Sequence, residues 1–355
     1  MIFRQLFDSA SSTYTYLLGC GSKREAIIID PVFEKHNRDV ALARELGLDL
    51  KFVLETHVHA DHVTGAWLMK EALGAEIAGS AHSGASCIDV ALSQGQVLEF
   101  GECAIEVRET PGHTAGCLTF VTSDQSMAFT GDCILIRGAG RTDFQGGDVH
   151  QMWRSIREQI FSLPDECLIY PAHDYAGRTV STVLEEKQFN PRIGGEAREE
   201  DFTGFMNNLE LPHPGKIDIA VPANLRCGKP ESQNSQEKSS WGPVNVTYAG
   251  IPEIAPEWVA ANRSAVHILD VRGRDEYKGE LGRIEDCRCI PLEELRDRVD
   301  EIASDLPVIT VCQSGKRSAM AVTILQKAGF NQVANMNGGM IEWNRLALPI
   351  AGAVI

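Results

Sequence analysis

The chain has 355 residues, 43% of them hydrophobic and 23% charged. These proportions exclude a largely disordered or fibrous protein, and the length predicts about two domains at roughly 100–200 residues each. Acidic residues number 49 against 33 basic ones, a net charge of −16, which argues against nucleic acid and anionic membranes as partners and leaves any anionic substrate to a few local arginines.

In chain order, residues 1–8 alternate like a strand and lack the basic region, apolar run and cleavage site of a secretory leader. No apolar run reaches the length of a membrane span. The ten cysteines include no Cys-x-x-Cys pair, so free thiols in a reducing, cytoplasmic setting are expected. Strand candidates follow at 26–29, 52–54, 76–78, 104–107, 118–121, 127–129 and 168–170. Helical patterns fall at 40–46, 62–73, 149–161 and 180–188. Such strand-rich runs predict sheets covered by helices on their outer faces. Residues 228–243 hold a single large apolar residue, Trp241, and cannot form a core. The expected organisation is a domain over 1–228, a linker over 229–243 and a second domain over 244–355. In the latter, strands at 266–269, 308–311 and 333–336 alternate with helices near 292–302 and at 318–327, the rhythm of a parallel α/β sheet.

The strand at 51–55 runs into Thr56-His57-Val58-His59-Ala60-Asp61-His62, four residues able to bind metal within six positions. Further such residues, His113, Asp132 and His173, follow later predicted strands. Turns at strand ends can converge on one cavity, so the set points to a metal centre, although any one of these histidines alone would read as a surface or core residue.

With His113, Asp132 and His173 at these intervals, the Thr-His-x-His-x-Asp-His motif resembles the metallo-β-lactamase superfamily, and the match spans nearly all of 1–228. This implies an αββα sandwich with metal at the sheet edges. More narrowly, the stretches 130–145, Tyr170-Pro171-Ala172-His173-Asp174-Tyr175 and Asn190-Pro191-Arg192 resemble the persulfide dioxygenase branch. The resemblance implies one Fe(II) per chain, held by His57, His113 and Asp132, that uses O2 to oxidise glutathione persulfide to sulfite and glutathione. Two imidazoles and a carboxylate leave coordination positions open for a sulfur and O2. His59, Asp61, His62 and His173 would then orient the ligands. The same inventory permits a second metal, and with it a hydrolase of glutathione thioesters resembling glyoxalase II. Arg141, Tyr175 and Arg192 occupy positions that, by resemblance, line the glutathione pocket, where arginine forks would meet its carboxylates. Arg137, Thr130 and Asp174 are expected to be structural supports.

In the second domain the strand 307–311 leads into Cys312-Gln313-Ser314-Gly315-Lys316-Arg317 and a helix. A loop between strand and helix N-terminus turns backbone N–H groups inward, and Cys312 at its start is expected to be a stabilised, nucleophilic thiolate. Cys117 and Cys133 are expected to be inert buried thiols. The loop, with Asp270-Val271-Arg272, Glu276-Tyr277 and 338–343, resembles a single rhodanese domain covering about 244–350. That resemblance implies sulfur transfer between thiosulfate and glutathione through a Cys312 persulfide, with Arg317 in the catalytic loop and sulfite released. Cysteine phosphatases have five residues between Cys and Arg; four here suit a terminal sulfur better than a phosphate. The sequence leaves a homodimer open, and a non-catalytic sulfur-carrier module is the remaining alternative for this domain.

Overall fold

Apolar side chains alternate along the strands, and each strand therefore has two faces to bury. The computed structural model describes residues 1–212, 214–230 and 241–352. It divides into two compact units, Met1–Glu231 and Ser232–Ile355.

In the first unit, one sheet joins β1 (Ile2–Asp8), β2 (Thr13–Gly19), β3 (Glu25–Ile29), β4 (Asp49–Leu54), β5 (Glu76–Ser80) and β6 (Val90–Leu92) in that order. The other joins β7 (Val97–Phe100), β8 (Cys103–Glu109), β9 (Leu118–Thr122), β10 (Met127–Gly131), β11 (Leu168–Pro171) and β12 (Ser181–Thr182). Along β3, Ile27 and Ile29 point between the sheets while Ala26 and Ile28 face outward. The inner layer holds Tyr16, Leu54, Phe100, Phe120 and Phe129 from both sheets. On one outer face, Leu17, Ile28 and Val53 pack with Val40 and Leu42 of α1 (His36–Glu45) and Met69 of α2 (Ala66–Leu73). On the other, Val121, Ala128 and Ile169 pack with α3 (Val149–Arg154), α4 (Val183–Phe189) and α5 (Glu199–Met206). A sixth helix, α6 (Ile217–Asn224), follows. The result is the expected αββα sandwich.

Several expectations are corrected. The helix expected over 62–73 begins at Ala66, whose N–H donates to Thr64 Oγ1 at 3.0 Å, so His62 lies on a loop. The 149–161 pattern is α3 followed by a π-helical stretch, Ser155–Ile160. Residues 181–182 are β12, and Thr182 caps α4 by accepting from Glu185 N. Strand β2 went unpredicted: all seven of its residues are buried, so it carries no exposed polar face. The cysteines are not all free: Cys87 and Cys227 form a disulfide, while the other eight are free. Local spacing could not reveal a pairing across 140 residues.

In the second unit, β13 (Asn245–Val246), β14 (Pro252–Ile254), β15 (His267–Asp270), β16 (Arg288–Cys289), β17 (Val308–Val311) and β18 (Val333–Met336) form a sheet ordered β13-β14-β18-β17-β15-β16. It is parallel except for the edge pair β13 and β14. One face packs α7 (Pro256–Ala261) and α10 (Gly339–Arg345) through Val259, Met340 and Trp343. The other packs α9 (Lys316–Lys327) through Ala321, Val322 and Leu325. Between α7 and α9 lies the short α8 (Arg274–Tyr277). The helix expected near 292–302 is a 3-10 segment, Leu295–Glu301. Of the expected linker, 231–240 lie outside the described residues, whereas Trp241 packs edge-on against Trp258. Among the described residues no helix is long and apolar enough to cross a membrane.

Candidate metal centre and thiolate cradle

β4 runs parallel to β3, and β10 parallel to β11, while β8 and β10 each run antiparallel to β9. The segments after β3, β4, β8, β10 and β11 consequently leave at one end of the sandwich. Contacts join them there: Leu118 N donates to Thr56 O at 2.8 Å and Tyr14 N to Ala172 O at 2.7 Å.

Ligand atoms of His57, His113 and Asp132 lie within 4.8 Å of one another, and so do those of His59, Asp61, His62 and His173. In the first group the tautomers follow from hydrogen-bond bookkeeping. Thr56 Oγ1 donates its one proton to Asp30 Oδ2 at 2.8 Å, so at 3.0 Å from His57 Nδ1 it must accept. His113 Nδ1 donates to the Arg141 carbonyl at 2.7 Å. Each imidazole is left with its Nε2 lone pair for a metal, and His113 Nε2 lies 3.6 Å from Asp132 Oδ2. Burial holds both histidines below their ordinary pKa and hence neutral, the state a metal requires.

The second group is tied within itself. His173 contacts Asp132 Oδ1 through Nδ1 at 2.7 Å and Asp61 Oδ2 through Nε2 at 3.0 Å. Burial opposes its protonation, yet these two carboxylates hold its pKa well above the ordinary value. His59 Nδ1 and His62 Nε2 are buried without hydrogen-bond partners, and their lone pairs are ones a second cation could use, whereas His59 Nε2 lies 3.2 Å from Asp30.

Two glycines permit the close approach. Gly131 has φ +53°, and a Cβ there would lie 2.8 Å from Thr56 Oγ1; at Gly140 a Cβ would lie 2.3 Å from Asp132 O.

The Arg141 guanidinium grips Asp143 with two 2.6 Å bonds and reaches the Pro212 and Leu211 carbonyls. Arg192 donates to Ala139 O at 2.6 Å and lies over Phe205. Tyr175 is 74% exposed and stacks on His173 with an interplanar angle of 4°. Arg137 braces Glu185, Glu186 and Ser181, Thr130 Oγ1 donates to Ile134 O, and Asp174 accepts from the Ala176 and Arg178 amides. Burial pushes the Cys117 thiol up to about 12.

Sequence reasoning missed Thr13, whose Oγ1 lies 3.1 Å from His173 Nε2, and Asp30, which also sits 3.2 Å from His59 Nε2. Asp30 carried a signal, an acidic residue ending the apolar run of β3. Thr13 carried none.

In the second unit, β17 delivers Cys312 to the N-terminus of α9, which starts at Lys316 after Gly315 at φ +89°. Burial opposes ionisation of Cys312. The Ser318 hydroxyl, 3.2 Å away, and backbone N–H groups of Ser318, Ser314 and Gly315 outweigh that cost and lower its pKa. Arg317 forks onto Glu276 with two 2.6 Å bonds. The N-terminus of α10 braces the loop from behind: Met340 N donates to Cys312 O and Ile341 N to Gln313 O. Gly339 permits this, since a Cβ there would meet Cys312 O at 2.4 Å. Buried Arg272 joins Asp270 to the Gly282 carbonyl and holds the neighbouring 279–283 segment.

Residues 9–173 match the metallo-beta-lactamase superfamily and residues 255–346 the rhodanese-like domain. Over 229 residues the chain is 53% identical to the mitochondrial persulfide dioxygenase ETHE1 of Mus musculus, covering 64% of this chain and 89% of that protein. The crystal structure of ETHE1 from Myxococcus xanthus is similar with a TM-score of 0.62 at 48% identity, over 64% of this chain and 100% of that one. A metallo-beta-lactamase structure from Staphylococcus aureus is 25% identical with a TM-score of 0.60, and the match covers 95% of this chain and 98% of that one.

Proposed function

The chain belongs to the metallo-β-lactamase superfamily, with persulfide dioxygenases among its relatives and a rhodanese-like domain over residues 255–346, and from that premise we propose a bifunctional enzyme of sulfur metabolism. The first unit oxidises glutathione persulfide, consuming one O2 and one water and yielding glutathione, sulfite and two protons. The observation that carries this reading is the pair of neutral imidazoles, each with Nδ1–H anchored and Nε2 free, beside the Asp132 carboxylate. Fe(II) held by His57, His113 and Asp132 would supply redox chemistry with O2 at coordination positions that three protein ligands leave open.

The chain's own residues do the rest. Asp30 and Thr56 orient His57, and the Arg141 carbonyl orients His113. His173 keeps a proton beside Asp132. Tyr175, exposed and stacked on buried His173, contacts the substrate. Arg141 and Arg192 meet the glutathione carboxylates, Arg141 by exchanging its Asp143 partner for the ligand.

In the second unit the Cys312 thiolate attacks the outer sulfur of thiosulfate. The S–S bond breaks, sulfite leaves with the electron pair, and a glutathione thiolate then takes the sulfur from the Cys312 persulfide. The backbone and Ser318 donors around Cys312 stabilise its negative charge in each half. The same chemistry can run in reverse and form thiosulfate.

A second reading, a two-metal thioester hydrolase, is favoured by the unpartnered nitrogens of His59 and His62. Metal analysis combined with an oxygen electrode separates the two. About one iron per chain with persulfide-dependent O2 uptake is expected, whereas two metals with thioester cleavage and no O2 uptake would overturn the proposal.

A further inference from the structure

We propose that the segment 224–228, bolted by the Cys87–Cys227 disulfide, is a thiol-sensitive strap that holds the metal loop in shape, with Asn224 as its positioning residue. The proposal rests on the reading that His57, on this loop, helps to hold a metal.

Residues 56–65 form an irregular buried loop and cannot satisfy their own backbone groups. One side chain from the end of α6 satisfies three of them. Asn224 Nδ2 donates to His59 O and to His62 O, each at 2.8 Å, and Asn224 Oδ1 accepts from Thr64 N at 2.8 Å. Asn224 is 5% exposed. Next along the chain, Cys227 O accepts from Trp67 N in the first turn of α2, and Leu225 O accepts from Ser86 N. Gly228, at φ +70°, passes so close that a Cβ would lie 2.0 Å from Thr64 O. The strap thus touches the metal loop, the helix after it and the segment following β5.

The disulfide is its only covalent fastening among the described residues. Cys227 is 2% exposed, while Cys87 is partly accessible. Glu55, His57, Asn224 and Cys227 line one small cavity, so the bolt and a proposed metal ligand share a wall. A low-molecular-weight thiol can reach it. Its thiolate attacks the sulfur of Cys87, the Cys87–Cys227 bond breaks, and Cys227 leaves as a thiolate that takes up a proton. A second thiol resolves the mixed disulfide, leaving two protein thiols and one oxidised thiol dimer; the two thiols have supplied both electrons. Freed from Cys87, the strap can lift, and Asn224 leaves with it. Three backbone groups of the loop then lose their partners and His57 loses its fixed position.

The test uses the full-length protein in oxidised and thiol-reduced pools. Thiol titration in denaturant should find eight thiols before reduction and ten after it. Amide exchange in metal-free protein should quicken over 56–66 on reduction, on the order of fivefold to tenfold for each hydrogen bond released, with no change around Cys312. In Fe(II)-loaded protein, reduction should speed loss of iron to a chelator by about 10- to 100-fold. Asn224→Ala, which removes both donors and the acceptor, should reproduce both effects with the disulfide intact. The Cys87→Ser/Cys227→Ser double variant should behave as reduced protein and ignore added thiol. Ten thiols before reduction, or unchanged exchange over 56–66 after it, would overturn the strap. Redox-dependent exchange in a protein that binds no iron would instead uphold the strap and overturn the assignment of the metal.

Discussion

Asp132 faces two histidines at once: Oδ1 lies 2.7 Å from His173 Nδ1, and Oδ2 lies 3.6 Å from His113 Nε2. Removing it deletes the one carboxylate of the proposed triad and leaves His173 with a single acidic partner. Asp132→Ala is therefore expected to abolish iron retention and persulfide-dependent O2 uptake while leaving thiosulfate sulfurtransfer intact; normal iron content in that variant would refute the ligand assignment. Cys312→Ser is the complementary experiment. A hydroxyl under the same donors is far less acidic than a thiol and forms no persulfide. Sulfurtransfer should vanish and oxidation of supplied glutathione persulfide should persist, and residual transfer near the wild-type rate would move the nucleophile elsewhere.

At the scale of single elements, α1 carries a buried charge with an unequal environment. Asp39 Oδ1 accepts from Arg38 Nε at 2.7 Å, whereas Oδ2 is buried with no hydrogen-bond partner. Burial holds the carboxyl up at about 6 despite the opposing pull of Arg38, against an ordinary 3.8. The folded state thus binds this proton more tightly than the unfolded chain. The stability contributed is fully present below 3.8 and is lost as pH rises through about 6. Asp39→Asn has no charge to bury. Its stability relative to wild type, measured by urea unfolding, should increase across that window and then level off, with a rise on the order of 2–3 kcal/mol. A difference that stays constant with pH would show that Asp39 titrates in the folded protein as it does in the unfolded chain. The helix starts obey simpler rules: Thr182 caps α4 through its hydroxyl, and the Thr64 hydroxyl, one residue ahead of the Gly65 N-cap, accepts from the first N–H of α2.

For the molecule as a whole, the two units have separate hydrophobic cores, so loss of one proposed activity need not entail loss of the other. The carrier proposed between them is a small diffusible thiol, which argues for local production of persulfide rather than enclosed transfer. With thiosulfate, glutathione and O2 as inputs, O2 uptake by the intact chain should exceed that of severed units only modestly at high enzyme concentration. The advantage should grow at dilution or when an external persulfide trap is present. Complete resistance of the intact chain to the trap would mean enclosed channelling and contradict this picture.

Features carried by contiguous residues were legible in the chain alone. Apolar runs marked most strands, Thr56 to His62 announced the candidate metal loop, and the strand-to-helix passage at Cys312 marked the thiolate cradle, because each depends on neighbours a few positions apart. Tertiary structure decided which ring nitrogens are free, since that depends on what faces the opposite nitrogen: Thr56 for His57, the Arg141 carbonyl for His113 and two carboxylates for His173. It also decided the roles of Thr13, Asp30 and Asn224 and the pairing of Cys87 with Cys227. Asn224 acts on His59 across 165 residues and the disulfide spans 140. Such partnerships leave no periodicity in the chain, because a buried polar group is satisfied by whatever the fold places opposite it, and that is set by the packing of the whole sandwich.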